Sequence, residues 1–261
     1  NKHLFSLLYF MKTLKTLLIL GGTGEASKLA IQAINIPNLN VELSVAGSTS
    51  GAGNQPGVTR VGGFGGVSGL IEYLRDRSID ILVDATHPFA AQISTHGYIA
   101  AKELDIPRLM LIRPSWKKLP SDNWVEVNNI QEAVNILGEK SQRVFLTVGR
   151  KQLPHFSQLP NIWFLMRLIE PPQNNHIIPR GLMIFEKGSF NLNNELQLLS
   201  KYQIDTVVSK NSGGDATYPK IAAARSLGVK VVMINRPPLP TGEKVTTIQE
   251  VIQWLMLMVN T

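Results

Sequence analysis

The stretch LLILGGTGEASKLA, residues 17–30, constrains this chain more than any other. An apolar run stops at two glycines and resumes as an amphipathic segment, which reads as strand, tight turn and helix. The alternation continues. VELSVAG, VTRV, DILVDAT and PRLMLIR read as strands, with helical stretches at 24–35 and at VSGLIEYLRDR. A polar, Pro-containing segment follows near residues 114–125, and then the pattern restarts. RVFLTVGR, IWFLMRLIE, GLMIFEKG, DTVVSK and KVVMINRP are the apolar runs of this second half, and TIQEVIQWLMLM closes it as a helix. Alternation of this kind predicts parallel sheets with helices on both faces. The expected fold class is α/β, with one domain over residues 11–118 and a second over 119–261. Residues 1–10 are an extension ahead of Met11.

That extension has a basic start and an apolar middle, which imitates a signal peptide. Lys12 and Lys15 interrupt the apolar run, and no small-residue cleavage site follows. The expectation is a cytoplasmic protein with no transmembrane span.

Composition narrows the partners. The chain has 26 Lys and Arg against 19 Asp and Glu, a net charge of +7. This favours an anionic partner. The basic residues are scattered and interleave with no aromatic signature, so nucleic acid is not expected. The chain has no cysteine, and its five histidines lack zinc-ligand spacing, so no metal site is expected.

In open parallel sheets, ligands sit beyond the carboxyl ends of strands. Gly22-x-Gly24-x-x-Ser27 approximates the dinucleotide turn. Gly21 and Gly22 let the backbone approach an anion, Thr23 offers a hydroxyl, and Glu25 and Ala26 lie in the first helical turn. The other reading is a glycine turn without a ligand. The second strand ends at Ser48, Thr49 and Ser50 with no acid, and Glu42 is placed at that strand's beginning. An acid there would hold the ribose of NADH, so its absence favours NADPH. An unimportant Ser/Thr loop fits equally. In DATHPFA, Asp84, Thr86 and His87 face the crevice, with His87 able to give a proton, and Pro88 suits the first turn of the next helix. Asp84 and Thr86 equally suit helix capping. In SKNSGGDATYPK, Lys210, Asn211, Ser212, Gly213 and Gly214 make a basic, amide-rich turn, joined by Thr217 and Lys220. Arg150 follows another strand and suits a carboxylate. Tyr98 and Lys102 have the spacing of a dehydrogenase pair but lie too close to the glycine turn, and Tyr98 reads as packing on a helix face.

Taken in order, ILGGTGEASKLA, VGGFGG, DATHPFAAQIS, RLIEPP and VSKNSGGDATYPKIAAARSLGVKVVMINRP resemble the precorrin-6A reductase family of cobalamin biosynthesis. The resemblance implies two Rossmann-like parallel-sheet domains with a cleft between them. It implies NADPH-dependent reduction of one double bond of a polycarboxylate tetrapyrrole, precorrin-6A or its cobalt form, to precorrin-6B. By motif, Gly21, Gly22, Thr23, Glu25 and Ala26 line the pyrophosphate, with Ser48 and Thr49 beyond the second strand. Asp84, Thr86, His87 and Pro88 lie near the nicotinamide and the macrocycle. Lys210 to Gly214, Thr217 and Lys220 contact substrate. Family members often carry Arg after the second strand's Ala-Gly, where this chain has Ser48. The alternatives are another Rossmann-fold NAD(P)-dependent oxidoreductase or epimerase, or a dinucleotide-binding protein that catalyses nothing.

Overall fold

A computed structural model describes residues 14–47, 58–172 and 177–260. The chain forms two compact units, residues 1–113 with 238–261, and residues 114–237.

In the first unit, β1 (Lys15–Leu20), α1 (Gly24–Ala33), β2 (Leu39–Val45), β3 (Val58–Val61), α2 (Gly66–Asp76), β4 (Ile81–Asp84), α3 (Ala91–Glu103) and β5 (Arg108–Leu111) follow one another. The second unit holds β6 (Trp124–Val127), α4 (Ile130–Lys140), β7 (Arg143–Thr147), α5 (Leu153–Phe156), β8 (Trp163–Leu168), β9 (Gly181–Phe185), α6 (Leu192–Lys201), β10 (Thr206–Lys210), α7 (Pro219–Ser226) and β11 (Lys230–Ile234). The chain then returns to the first unit as β12 (Glu243–Val245) and α8 (Ile248–Asn260).

The domain division expected at 118/119 therefore differs from the observed units in its last segment. β12 pairs with β5 in the first sheet, and α8 shares a core with α1. The strand order is β3-β2-β1-β4-β5-β12 in one sheet and β9-β8-β7-β10-β11-β6 in the other, with every pair parallel. Both are the doubly wound Rossmann order, with the sixth position filled by the last strand of the chain in the first sheet and by the first strand of the second unit in the other. No sequence repeat announces this architectural repeat.

The pleat explains why β1 is apolar throughout. Leu17 and Ile19 pack toward α1 and α8, with Leu29, Trp254 and Leu255. Leu18 and Leu20 pack toward α2 and α3, with Leu70, Leu74 and Ala100. A strand buried on both faces has no polar position to alternate. No described helix is long and apolar enough to cross a membrane.

Two residues sit differently from expectation. Glu42 lies in the middle of β2 and is buried. Tyr73 Oη donates to it at 2.6 Å and Arg77 Nε at 3.0 Å. Burial and then the Glu42 bond push the Tyr73 hydroxyl up to about 12. Pro88 lies in a turn three residues ahead of α3, because the Asp84–Thr86 turn uses those residues before the helix begins.

Candidate active site

In the first unit the strand order reverses between β1 and β4, so the turns after these strands flank the ligand crevice of such a sheet. After β1, the Gly21 amide donates to Ser44 O at 2.8 Å, and Gly21 packs against Leu43 so closely that a Cβ would lie 2.5 Å from its Cδ1. Gly22 has φ +109° and no atom within 4 Å of where a Cβ would stand. It leaves open backbone at the start of α1, the geometry that lets an anion approach.

Thr23 caps α1 by accepting from Ala26 N at 3.1 Å, and its Oγ1 donates to Ala85 O at 2.9 Å. The hydroxyl proton expected to reach a ligand thus ties the turn after β1 to the turn after β4. Glu25 pairs with Arg113 at 2.8 Å. Burial opposes its ionisation, but the Arg113 hydrogen bond and charge outweigh that and hold the carboxyl below its usual range. Ala26 is fully buried.

After β4, Asp84 is buried and accepts from Thr86 N at 3.1 Å and Thr86 Oγ1 at 2.7 Å. Thr86 Oγ1 also lies 3.2 Å from Ser94 Oγ. Arg108 Nη2 is 3.5 Å from the other Asp84 oxygen, and burial lowers the Arg108 pKa against the pull of Asp84. Asp84 therefore holds Thr86 in position, and it lines a small depression with Thr86, His87 and Pro88. His87 is half-buried, and its Nδ1 accepts from Phe89 N at 3.2 Å. This acceptor places the proton of the neutral ring on Nε2. Pro88 joins Thr23, Glu25, Thr86 and Arg113 around a small depression on the β4 side. Tyr98 lies under the Arg108 guanidinium, 5.8 Å away, on α3.

On the β2 side lies a cavity of about 290 Å³, lined by Gly21, Ser44, Phe64, Gly66, Gln92 and His96 among others. Arg60 borders it. It stands opposite Ser44 in the β2–β3 register. Its Nη1 donates to Ser44 Oγ at 3.3 Å and to Gly62 O, and its Nη2 donates to Gly63 O at 2.9 Å. The guanidinium sits 3.9 Å over the Phe64 ring. Sequence reading missed Arg60, Phe64, Gln92 and His96. The available signal was an Arg just before GGFGG. Ser48 and Thr49 lie outside the described residues.

In the second unit the order reverses between β7 and β10, which brings Arg150 and the 210–214 turn to one end of the sheet. Arg150 is 3.6 Å from Glu170 and donates to Pro171 O. The Asn211 side chain is buried and joined to the Trp116 backbone, accepting from its N at 2.8 Å and donating to its O at 3.1 Å. Trp116 Nε1 donates to Gly214 O at 2.8 Å, and Arg236 donates to the carbonyls of Asn211 and Ser212. Gly213, with φ +70°, is buried where a Cβ would stand 2.0 Å from Pro114 O. Asn211 and Gly213 therefore build the turn from within. Ser212 Oγ donates to Lys210 O, and burial lowers the Lys210 pKa.

Lys220 also departs from expectation. It is buried, donates to Thr217 O at 3.0 Å and lies 5.1 Å from the Trp116 ring. Burial pulls its pKa down to about 7, against the raising effect of Glu195. Between pH 7 and the ordinary lysine value of 10.5 the unfolded chain holds a proton that the fold does not. Stability therefore rises with pH in this window. The melting-temperature difference between Lys220→Met and the parent is expected to shift in the parent's favour from pH 7 to pH 10. A pH-independent difference would refute this.

Residues 16–256 match the family model described as precorrin-6x reductase CbiJ/CobK. A precorrin-6A reductase from Rhodococcus erythropolis is 40% identical over 92% of this chain and 96% of its own length. One from Sinorhizobium sp. is 42% identical over 92% and 93%. The solved structure titled CobK precorrin-6A reductase superposes with TM-score 0.87 at 37% identity, covering 94% of this chain and 97% of that one. With the glycine turn and the fixed Asp84–Thr86 turn at its first switch point, the chain belongs to the precorrin-6x reductase CbiJ/CobK family.

Proposed function

We propose that this protein reduces one C=C bond of precorrin-6A, with NADPH as reductant, to give precorrin-6B. The observation that carries the reading is family membership over residues 16–256, together with an open glycine turn at the β1/β4 switch point.

The residues present fit a dinucleotide. Gly22 leaves open backbone at the N-terminus of α1, which suits a pyrophosphate. The adjoining cavity of about 290 Å³ is near the lower size of small-ligand pockets. Three features support NADPH over NADH. Glu42, the acid of β2, is sealed by Tyr73 and Arg77. Ser44 near the end of β2 offers a hydroxyl. Arg60 beside it brings positive charge, the arrangement that accommodates a 2′-phosphate.

When bound, the nicotinamide supplies the hydride. The chain's own residues bind and orient. Thr23 links the two turns, Asp84 holds Thr86 in place, and His87 presents Nε2–H as hydrogen-bond or proton donor. In the second unit, Arg150, Lys210, Ser212, Gly214 and Thr217 are the candidate contacts for the substrate's carboxylates. Precise orientation of two rings is the main catalytic contribution.

Under anaerobic conditions the purified protein is expected to oxidise NADPH only when precorrin-6A or its cobalt form is supplied. No turnover with either form rejects the reading. Arg60→Ala is expected to raise KM for NADPH about tenfold while leaving KM for NADH nearly unchanged. An equal rise for both cofactors would assign Arg60 to the glycine turn alone. His87→Ala is expected to lower kcat by about 10²-fold with little change in KM for NADPH, and an unaltered kcat would make the residue structural.

A further inference from the structure

Past the end of β10, the chain uses up the acceptors of one turn and leaves its donors. Lys210 O accepts from Ser212 N at 2.7 Å, Asp215 O from Tyr218 N at 3.3 Å and Ala216 O from Phe190 N at 3.0 Å. Asn211 O and Ser212 O accept from Arg236, Nε at 2.9 Å and Nη2 at 3.0 Å. Gly214 O accepts from Trp116 Nε1 at 2.8 Å, and Thr217 O from Lys220 Nζ at 3.0 Å. By contrast, no described protein group accepts from the amides of residues 213–217.

In a trans peptide the C=O and the following N–H point in opposite directions. A group that holds a carbonyl therefore also aims the next amide. Arg236, by holding Ser212 O, turns the Gly213 N–H away from itself. Trp116, by holding Gly214 O, does the same for the Asp215 N–H, and the Phe190 amide does it for the Thr217 N–H. Gly213 is buried, where an amide without an acceptor is costly. Successive main-chain donors without partners suit an anion.

We propose that Trp116 and Arg236 are positioning residues for the substrate: by tying the carbonyls of this turn, they aim its amides at one carboxylate of the tetrapyrrole. The inference rests on the proposed reduction of a polycarboxylate. It gives a role to Trp116, which comes from the polar segment near residues 114–125, and to Arg236, which follows β11.

Trp116 is built as a brace. Its main-chain N and O are both bonded to the Asn211 side chain, at 2.8 and 3.1 Å, so one end of the turn fixes the tryptophan. Its indole N–H then fixes Gly214, three residues on. The ring lies 5.1 Å from Lys220 Nζ and 5.7 Å from the Tyr218 ring, which hold its plane. Phenylalanine would keep those ring contacts and lose the donor. Arg236 reaches its two carbonyls because residue 213 is glycine, where a Cβ would stand 2.6 Å from Arg236 Nη2.

Two variants test this. Trp116→Phe removes the N–H and keeps an aromatic ring. Arg236→Lys keeps the charge and loses the forked hold on two carbonyls. Each is expected to raise KM for precorrin-6A about tenfold, with kcat and KM for NADPH within about twofold of the parent. A merely structural role would lower kcat and the melting temperature together and leave KM for precorrin-6A unmoved, which overturns the proposal. Succinate supplies a readout without turnover. In isotope-labelled parent protein, it is expected to shift the amide resonances of Gly213, Asp215 and Thr217, and either variant should need about tenfold more. An active parent whose variants keep its KM for precorrin-6A overturns the inference while the reaction stands. Amides that ignore succinate in the parent overturn it too. An inactive parent whose amides shift, and shift less readily in the variants, rejects the reaction and supports the carboxylate site. If Trp116→Phe fails to fold, Arg236→Lys decides alone.

Discussion

Glu195→Ala is expected to cost the fold about 3–5 kcal/mol. The Glu195 carboxylate is buried on α6 and takes two hydrogen bonds from Arg167 on β8, at 3.0 and 2.7 Å. The Arg167 side chain is 7% exposed and lies between the Phe190 and Phe145 rings, at 4.0 and 4.8 Å. Removing Glu195 leaves a guanidinium in an apolar pocket with, among the described residues, the half-exposed Glu186, 2.9 Å away, as its remaining counter-charge. That partner is too solvated to compensate, so Glu186→Ala itself should cost no more than about 1 kcal/mol. Urea unfolding of the three proteins gives the comparison. A loss below 1 kcal/mol for Glu195→Ala would mean that the site relaxes or admits water. The same change removes the carboxylate that raises the Lys220 pKa, so Lys220 should titrate lower still in this variant.

Gly22→Val should raise KM for NADPH by about 10–100-fold, a loss of roughly 1.4–2.7 kcal/mol of cofactor binding. Two effects act together. A β-branched residue is strained at φ +109°. Its methyl groups would also fill the open space where the backbone meets the pyrophosphate. Gly24→Ala is the matched control. Gly24 is also open, but it has no left-handed φ and begins α1, so alanine is tolerated there. Steady-state kinetics on both variants separates the turn from a general sensitivity of the helix start. An unaltered KM for Gly22→Val would remove the turn from the cofactor site.

The strands were legible because doubly covered parallel strands are short, apolar and interrupted by glycine. β1, β7 and β10 carry this mark, β4 ends instead at the polar turn DATHP, and together they flank the two switch points. The glycine turn and DATHPF could be placed for the same reason: residues just after such strands face the crevice. Other features depend on partners distant in sequence. Arg60 matters because it meets Ser44 across the β2–β3 register, and that contact has no local signature. β12 is three residues, EKV, too short and polar to read as a strand until β5 supplies a neighbour. Asn211 and Lys220 follow a strand end as ligand-facing groups would, yet the fold uses them to anchor Trp116 and to fill the space beneath it. Glu42 carries no sign in the sequence that Tyr73 and Arg77 close over it.

The return of β12 and α8 to the first sheet has a consequence for how the chain matures on the ribosome. The second unit is one uninterrupted stretch and can close as soon as residue 237 has emerged. The first unit, although made earlier, stays incomplete until its sixth strand and the helix packed on α1 arrive. Domains commonly fold in the order in which they are synthesised. Here the order of completion is reversed, so a released chain truncated near residue 240 would carry a finished second unit and an unfinished glycine-turn unit.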